Sequence, residues 1–264
     1  MLGAAGAAVA ALWLALLLDR LLGEPPVRWH PVVWMGHYLG WTRRRIAPHA
    51  QAALKADFRS LLAGTLAWFV GACAVVGAAL ALQWLAQQLP LWASALVTGL
   101  ALKPLLAWRM LRREVLSVER ALGESLDAGR EQLSYLVSRD VTWLNESLVR
   151  ESAIESLAEN LNDSVVAPIF WFVVAGLPGA ALYRFANTAD AMWGYRGVRG
   201  GRVWEWAGKF AARADDLLSW IPARITAVLL ALAALPWPRG LAREARRTPS
   251  PNSGWPMAAM ALLL

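Results

Sequence analysis

The sequence predicts an all-α, polytopic integral membrane protein with about 4–6 apolar helices, plus amphipathic helices on the cytoplasmic side. Three observations carry this. Hydrophobic residues make up 58% of the 264 positions and charged ones only 17%, whereas soluble domains carry about 25% charged residues. Several apolar runs approach or exceed the roughly 20 residues that cross a bilayer. Trp occurs 16 times, which suits a membrane–water boundary, where indole is half apolar and half polar. The single Cys73 lies in an apolar run, so a disulfide framework is excluded. Net charge is +7, with Lys only at 55, 103 and 209. In such a chain that excess points to cytoplasmic loops and anionic lipid. No basic stripe is interleaved with exposed aromatics, which argues against nucleic acid as a partner.

Residues 2–18 (LGAAGAAVAALWLALLL) form an uncharged run of 17, marginal for a span. Nothing basic precedes it and Asp19-Arg20 follows, so it reads as a first membrane helix and not a cleaved signal. Residues 61–85 are the clearest span, and Gln87-Gln88-Leu89-Pro90 makes a turn. Residues 91–108 return, with Lys103 near the far end, where it can snorkel. This hairpin is rich in small residues, which lets helices approach closely. Segment 109–164 is polar with periodic Leu111, Val115, Val118 and Leu122, predicting amphipathic helices broken near 125–129. Its seven Arg (109, 112, 113, 120, 130, 139, 150) and the seven basic residues of 19–60 place both on the cytoplasmic side. Residues 165–183 are long enough to span, but Gly176-Leu177-Pro178-Gly179 interrupts them. They are either a span or a re-entrant hairpin, since broken backbone is tolerated where protein buries it. Residues 221–237 are the last clear apolar segment. The closing run MAAMALLL is too short to span and reads as a truncated segment. Without internal repeats, residues 1–264 are expected to form one membrane-embedded domain, with 109–164 and 184–220 as its catalytic cytoplasmic segments.

The ionisable residues concentrate in four places. In ESAIESLAENLND (151–163), Glu151, Glu155, Glu159 and Asp163 stand four apart on one helix face, with no Lys or Arg four residues on. Like charges at that spacing destabilise a helix by roughly 0.2–0.5 kcal/mol per pair. Either the face is wet, or something outside the helix offsets the repulsion. Hard divalent cations take oxygen ligands, and Mg²⁺ is held by one or two carboxylates plus phosphates. Arg139-Asp140 leads into this helix. Next, Asn187 and Asp190 share a face just after an apolar arm, where an ordinary cap or turn is the plain alternative. Third, 212–224 (ARADDLLSWIPAR) places Asp215 and Asp216 where they can ligate a metal or act as a base. There Arg213 and Arg224 can grip phosphate, or simply anchor a membrane-entry helix. Fourth, 250–256 (SPNSGWP) alone is just a turn. His30 and His37 are candidates for acid/base work, although a lone His is more often structural. Neither GxxxxGK[ST] nor GxGxxG occurs, nor GxSxG or HExxH.

Taken together, LLGEPPVRWHPVVWMG (21–36), SRD (138–140), ESAIESLAENLNDSVVAPIFW (151–171), RFANTADAMWGY (184–195), ARADDLLSWIPARITA (212–227) and SPNSGWP resemble the CobD/CbiB family, adenosylcobinamide-phosphate synthase of cobalamin biosynthesis. The stretches extend in order over nearly the whole chain, and 151–227 is the specific part. The resemblance implies a multi-pass inner (cytoplasmic) membrane enzyme with a cytoplasmic active face. It would join aminopropanol phosphate, or threonine phosphate, to adenosylcobyric acid as an amide, using ATP and Mg²⁺. Its partners would be the corrinoid, the amino-alcohol phosphate, the bilayer and other cobalamin-assembly enzymes.

On that reading Glu155, Glu159, Asp215 and Asp216 are the catalytic candidates, and Glu159, Asp163 and Asp216 the metal ligands. Arg139, Asp140, Asn160, Asn187, Asp190, Arg213, Arg224 and Asn252 are the substrate and phosphate contacts. The acidic row then tolerates its own repulsion because a cation and its nucleotide neutralise part of it. Family members usually carry an acid where Met257 stands, after Gly-Trp-Pro, and run on past Leu264. A non-catalytic scaffold for corrinoid assembly and a small-molecule transporter are the alternatives. A transporter of the broken-helix type would show two related halves, and none is visible.

Overall fold

The computed structural model describes residues 2–50, 57–234 and 238–264. Residues 51–56 of the first loop and 235–237 of the last apolar segment lie outside the described residues. The chain is helical apart from one two-stranded ribbon among the described residues. Five helices are long and apolar enough to cross a membrane. Their surfaces are inverted relative to a soluble protein. Trp13, Leu62, Val70, Trp84 and Trp92 stand exposed while alanines and glycines face neighbouring helices, as lipid solvation of the outer surface requires.

The chain packs as two units, each built from two separate stretches. The first comprises Met1–Leu106 and Ala167–Leu218. Its α1 (Leu2–Leu22) runs beyond the uncharged stretch, through Asp19 and Arg20. Helix α2 (Pro31–Ile46) starts on a proline, whose fixed φ suits the first helical position. It buries Met35, Leu39, Thr42 and Ile46, one stripe at helical spacing. Helix α3 (Phe58–Gln87) is capped by Asp57, which accepts the Ser60 amide at 3.0 Å. Hydrogen bonds from the Ser60 side chain and backbone hold the Asp57 carboxyl below its usual pKa. A Cβ on Gly64 would sit 1.9 Å from the Ala207 carbonyl oxygen, so only glycine permits that approach. Around this contact Trp68, Phe185 and Phe210 pack edge to face.

Helix α4 (Leu91–Leu102) ends earlier than the sequence suggests, because Pro104 forces a 3-10 turn over Lys103–Leu105. Lys103 does not snorkel. It is buried and lies 3.2 Å from Glu24 and 3.8 Å from Asp19.

The predicted break in 165–183 is present. Within α8 (Ala167–Trp193), Ala175 and Gly176 leave helical geometry, and Gly176 has φ +66°, a conformation open to glycine at little cost. The bend is sharp. A Cβ on Gly179 would lie 2.3 Å from the carbonyl oxygen of Trp171, eight residues earlier. A straight helix would place those groups on the order of 10 Å apart at 1.5 Å rise per residue. A single straight span over 165–183 is therefore not formed; the helical corner is what a re-entrant element needs. The Leu177 amide freed by the break donates to Gln83 Oε1 on α3 at 2.8 Å, satisfying a group that lipid could not. The arm beyond the corner leads to a ribbon of β1 (Val198–Arg199) and β2 (Arg202–Val203), whose Val203 amide donates to the Pro48 carbonyl.

The second unit comprises Ala107–Val166 and Ser219–Leu264. Helix α5 (Trp108–Glu124) buries Leu111, Val118 and Leu122, three of the four periodic positions of the sequence, with Val115 half-buried against the same core. The expected break narrows to Ser125, extended and capping α6 (Leu126–Ser134) through Ala128 N–H. Helix α7 (Glu146–Leu161) is capped by Asn145, which accepts Leu148 N–H at 2.9 Å. The core of this part is Val118, Leu122, Leu133, Leu144 and Val149. The apolar helix α9 (Lys209–Ala234) passes from the first unit into the second. Short α10 (Leu241–Ala245) and α11 (Gly254–Leu263) close the second unit, and α11 packs on α7.

Candidate functional site

The acidic row on α7 is real, and its members differ. Glu151 and Glu159 are exposed and Glu155 is half-buried. Glu155 finds its counter-ion 16 residues upstream: Arg139 donates to its Oε2. Asp140 turns the approaching loop. Its Oδ1 accepts the Thr142 amide at 2.9 Å and hydroxyl at 2.7 Å, and these bonds hold its carboxyl below the usual range. Asn160 folds back on its own helix, donating to the Ser156 carbonyl at 2.9 Å.

The row then runs into a feature the sequence does not announce. Asn162–Val166 forms a π turn. Such turns insert one extra residue and occur often at functional sites. Asn162 is buried there, donating to Asp163 Oδ1 at 2.8 Å and accepting from the Thr226 hydroxyl at 3.1 Å. Asp163 is thus oriented by a neighbour that is itself fixed from α9. The Ser164 carbonyl released by the turn accepts the Ala107 amide at 3.0 Å. Glu159, Asn160, Asn162 and Asp163 therefore concentrate oxygen and amide groups at one helix irregularity of the second unit.

Arg224 and Asn252 also meet in this unit. Arg224 donates to Asn252 Oδ1 at 2.7 Å, to the Trp220 carbonyl at 2.8 Å and to the Pro251 carbonyl at 3.1 Å. Its guanidinium also sits over the Trp220 and Trp255 rings, 4.6 and 5.0 Å from their centroids. Two of these bonds, to Asn252 and Pro251, tie α9 to the 250–252 loop. The SPNS part of the stretch is accordingly an anchored turn, with the Ser250 hydroxyl accepting the Asn252 and Ser253 amides, and GWP opens α11.

In the first unit, the α8 arm and the start of α9 bring Asn187 within 3.4 Å of Asp215 Oδ1. Asn187 is mid-helix, so the capping alternative does not hold for it. The Asp190 carboxylate lies over Gly194, where a Cβ would be 1.8 Å from its Oδ1. Arg213 is 3.7 Å from Asp216, but the arginine is largely exposed, so the pair contributes little.

A fourth cluster was not visible in sequence as a unit. Asp19, Glu24, His30 and Lys103 gather in the first unit, with His30 Nε2 2.9 Å and Lys103 Nζ 3.2 Å from Glu24 Oε2. Burial opposes ionisation of Glu24, but His30 and Lys103 together more than offset it and hold its pKa below 4.5. The only sequence signal was a polar stretch, GEPPVRWHP, between apolar elements, and a lysine inside an apolar run. Among the described residues no three His, Cys, Asp or Glu side chains form a closed metal cage.

The chain matches the CobD/Cbib protein family over residues 12–264. It is 42% identical over 261 residues to the "Probable cobalamin biosynthesis protein CobD" of Methanothermobacter thermautotrophicus, covering 96% of this chain and 81% of that protein. It is 43% identical to the protein of the same name from Pyrococcus abyssi, over 83% of this chain and 69% of that one. It is also 43% identical to the "Cobalamin biosynthesis protein CobD" of Chromobacterium violaceum, over 93% and 76%. No solved structure matches. A match over nearly the whole length identifies the chain as a member of the CobD/CbiB family of cobalamin biosynthesis proteins.

Proposed function

We propose that this chain is an ATP- and Mg²⁺-dependent amide ligase of the inner membrane. It would join aminopropanol phosphate, or threonine phosphate, to a propionate of adenosylcobyric acid, giving adenosylcobinamide phosphate on the cytoplasmic face. Family membership supports the pathway. The observation that carries the chemistry is the acidic helix α7 running into a π turn, where Glu159 and Asp163 lie four residues apart beside Asn160 and Asn162.

A carboxylate is a poor acyl donor at neutral pH. Moving the ATP γ-phosphoryl group onto the propionate oxygen breaks its bond to the bridging oxygen, releases ADP and makes an acyl phosphate. The amine then attacks its carbonyl carbon, phosphate leaves with the C–O electron pair, and the ammonium proton passes to a base. Such chemistry rests on positioning and charge neutralisation. In this reading Glu159 and Asp163 supply the oxygen ligands of the second unit. The donor set suits Mg²⁺, which keeps waters and phosphates around one or two carboxylates and needs no cage of three. Bound with the nucleotide, the ion would neutralise phosphate charge. Arg139, already facing an acid, holds phosphate when Glu155 exchanges partners. In the first unit Asp215, held by Asn187, and Asp216 are the proton acceptors, with Asp190 on the same helix as Asn187 and Arg213 on the same helix as the aspartates. Arg224 and Asn252 act by fixing the 250–252 loop.

Washed membranes containing the chain, given adenosylcobyric acid, aminopropanol phosphate and Mg-ATP, should yield adenosylcobinamide phosphate by mass spectrometry. Absence of product from inserted, intact chain would favour the scaffold alternative.

A further inference from the structure

We propose that the cleft beside the C-terminal half of α2, within the first unit, is a binding site for a phosphate-bearing anion, independent of the ligase reading. The cleft measures about 1120 Å³ and is lined by His37, Arg43, Arg44, Arg45 and Arg202, with no Asp or Glu among its lining residues. Among the described residues none of these arginines forms an ion pair. Three consecutive arginines in a last helical turn gain from the helix dipole. A fourth comes from β2 and caps the helix end. Arg202 is fixed in place: its Nη1 donates to the Arg44 carbonyl at 3.1 Å and to the Ala47 carbonyl. Arg45 is likewise held over the Trp41 ring at 4.0 Å. Four guanidiniums positioned around one concavity repel one another unless an anion joins them, and forked donors match phosphate oxygens.

The floor of the cleft points the same way. Gly36 and Gly40 stand four apart in the interior of α2, where glycine costs about 0.5–1 kcal/mol each relative to alanine. Packing does not demand them. A Cβ on Gly36 would meet nothing within 4 Å, and one on Gly40 would meet only Met192 Cε at 3.8 Å. At Gly64, by contrast, a Cβ would strike backbone at 1.9 Å. The two glycines thus leave a side-chain-free surface beside the guanidiniums, suited to close approach of a ligand. The anion can be a free polyphosphate or a phospholipid headgroup; the chemistry recognised is the same.

The full chain in detergent is titrated calorimetrically with tripolyphosphate. In parallel, its unfolding temperature is compared in phosphatidylcholine nanodiscs with and without phosphatidylglycerol. Two variants are used: Arg43→Gln/Arg44→Gln, which removes charge, and Gly36→Leu, which fills the floor and keeps charge. Loss of at least about tenfold in tripolyphosphate affinity in both variants, equivalent to 1.4 kcal/mol or more, assigns a soluble phosphate. Loss of a phosphatidylglycerol-dependent rise in unfolding temperature in both assigns a lipid headgroup. If neither probe binds wild type, or if binding ignores Gly36→Leu and answers only to charge, the cleft is not a site and the proposal fails.

Discussion

At the residue scale the most consequential placement is Lys103. It is buried, and its partners Asp19 and Glu24 come from the end of α1 and the segment after it. Removing one partner of a buried ionic group leaves charge without compensation, at a cost of about 3–5 kcal/mol. Lys103→Met should therefore lower the unfolding temperature in detergent sharply, whereas Arg20→Met, at an exposed neighbour, should not. Glu24 gives a pH signature. Its pKa in the folded chain lies below the unfolded value of about 4.5, so its stabilisation is complete above that pH and is lost as pH falls through the folded value. The stability gap between wild type and Glu24→Gln should close progressively as pH falls below about 4.5. A gap that widened below that pH would contradict this network. The Arg139–Glu155 pair is half-exposed, so Arg139→Gln should cost under about 1 kcal/mol of stability yet reduce ligase turnover; equal small losses in both would make the residue merely structural.

At the element scale the corner at Ala175–Gly176 organises α8. Gly176→Ala meets two obstacles, a positive φ and the Gln83 side-chain oxygen 2.3 Å from the new Cβ. Backbone strain of this kind costs on the order of 1–3 kcal/mol. Gln83→Leu uncaps the Leu177 amide and should cost about 1–3 kcal/mol. Thermal unfolding of both variants would check this, and wild-type stability in Gly176→Ala would contradict the corner. The break itself was legible because glycine and proline mark it directly, as were the amphipathic stripe of α5 and the break near 125–129. The π turn at Asn162–Val166 was not. Its five residues carry no compositional mark, and the Thr226 hydroxyl that fixes Asn162 lies 64 residues away. The same holds for side-chain pairings. Spacing along α7 offers Glu155 no counter-ion, because its partner Arg139 sits on the preceding loop.

At the scale of the whole molecule, composition and run length gave the multi-pass helical class, but they could not show that two units share the chain by exchanging it three times, at 106–107, 166–167 and 218–219. Such an arrangement depends on contacts distant in sequence, which periodicity does not encode. The acidic and aspartate-rich stretches were legible as chemistry because they break otherwise apolar surroundings. Arg224 and Asn252 were legible as a pair only once their 2.7 Å bond was seen. If the ligase reading holds, chelation with EDTA should abolish turnover and added Mg²⁺ should restore it, with Ca²⁺ a poor substitute because it takes more ligands at longer distance. The central claim is tested most directly by amide formation in washed membranes with Glu159→Gln beside Glu151→Gln and wild type, insertion being verified for all three. The expected result is product from wild type and Glu151→Gln, with at least a hundredfold loss, about 2.7 kcal/mol, in Glu159→Gln. Equal product from Glu159→Gln would contradict the placement of the metal and nucleotide chemistry at the end of α7.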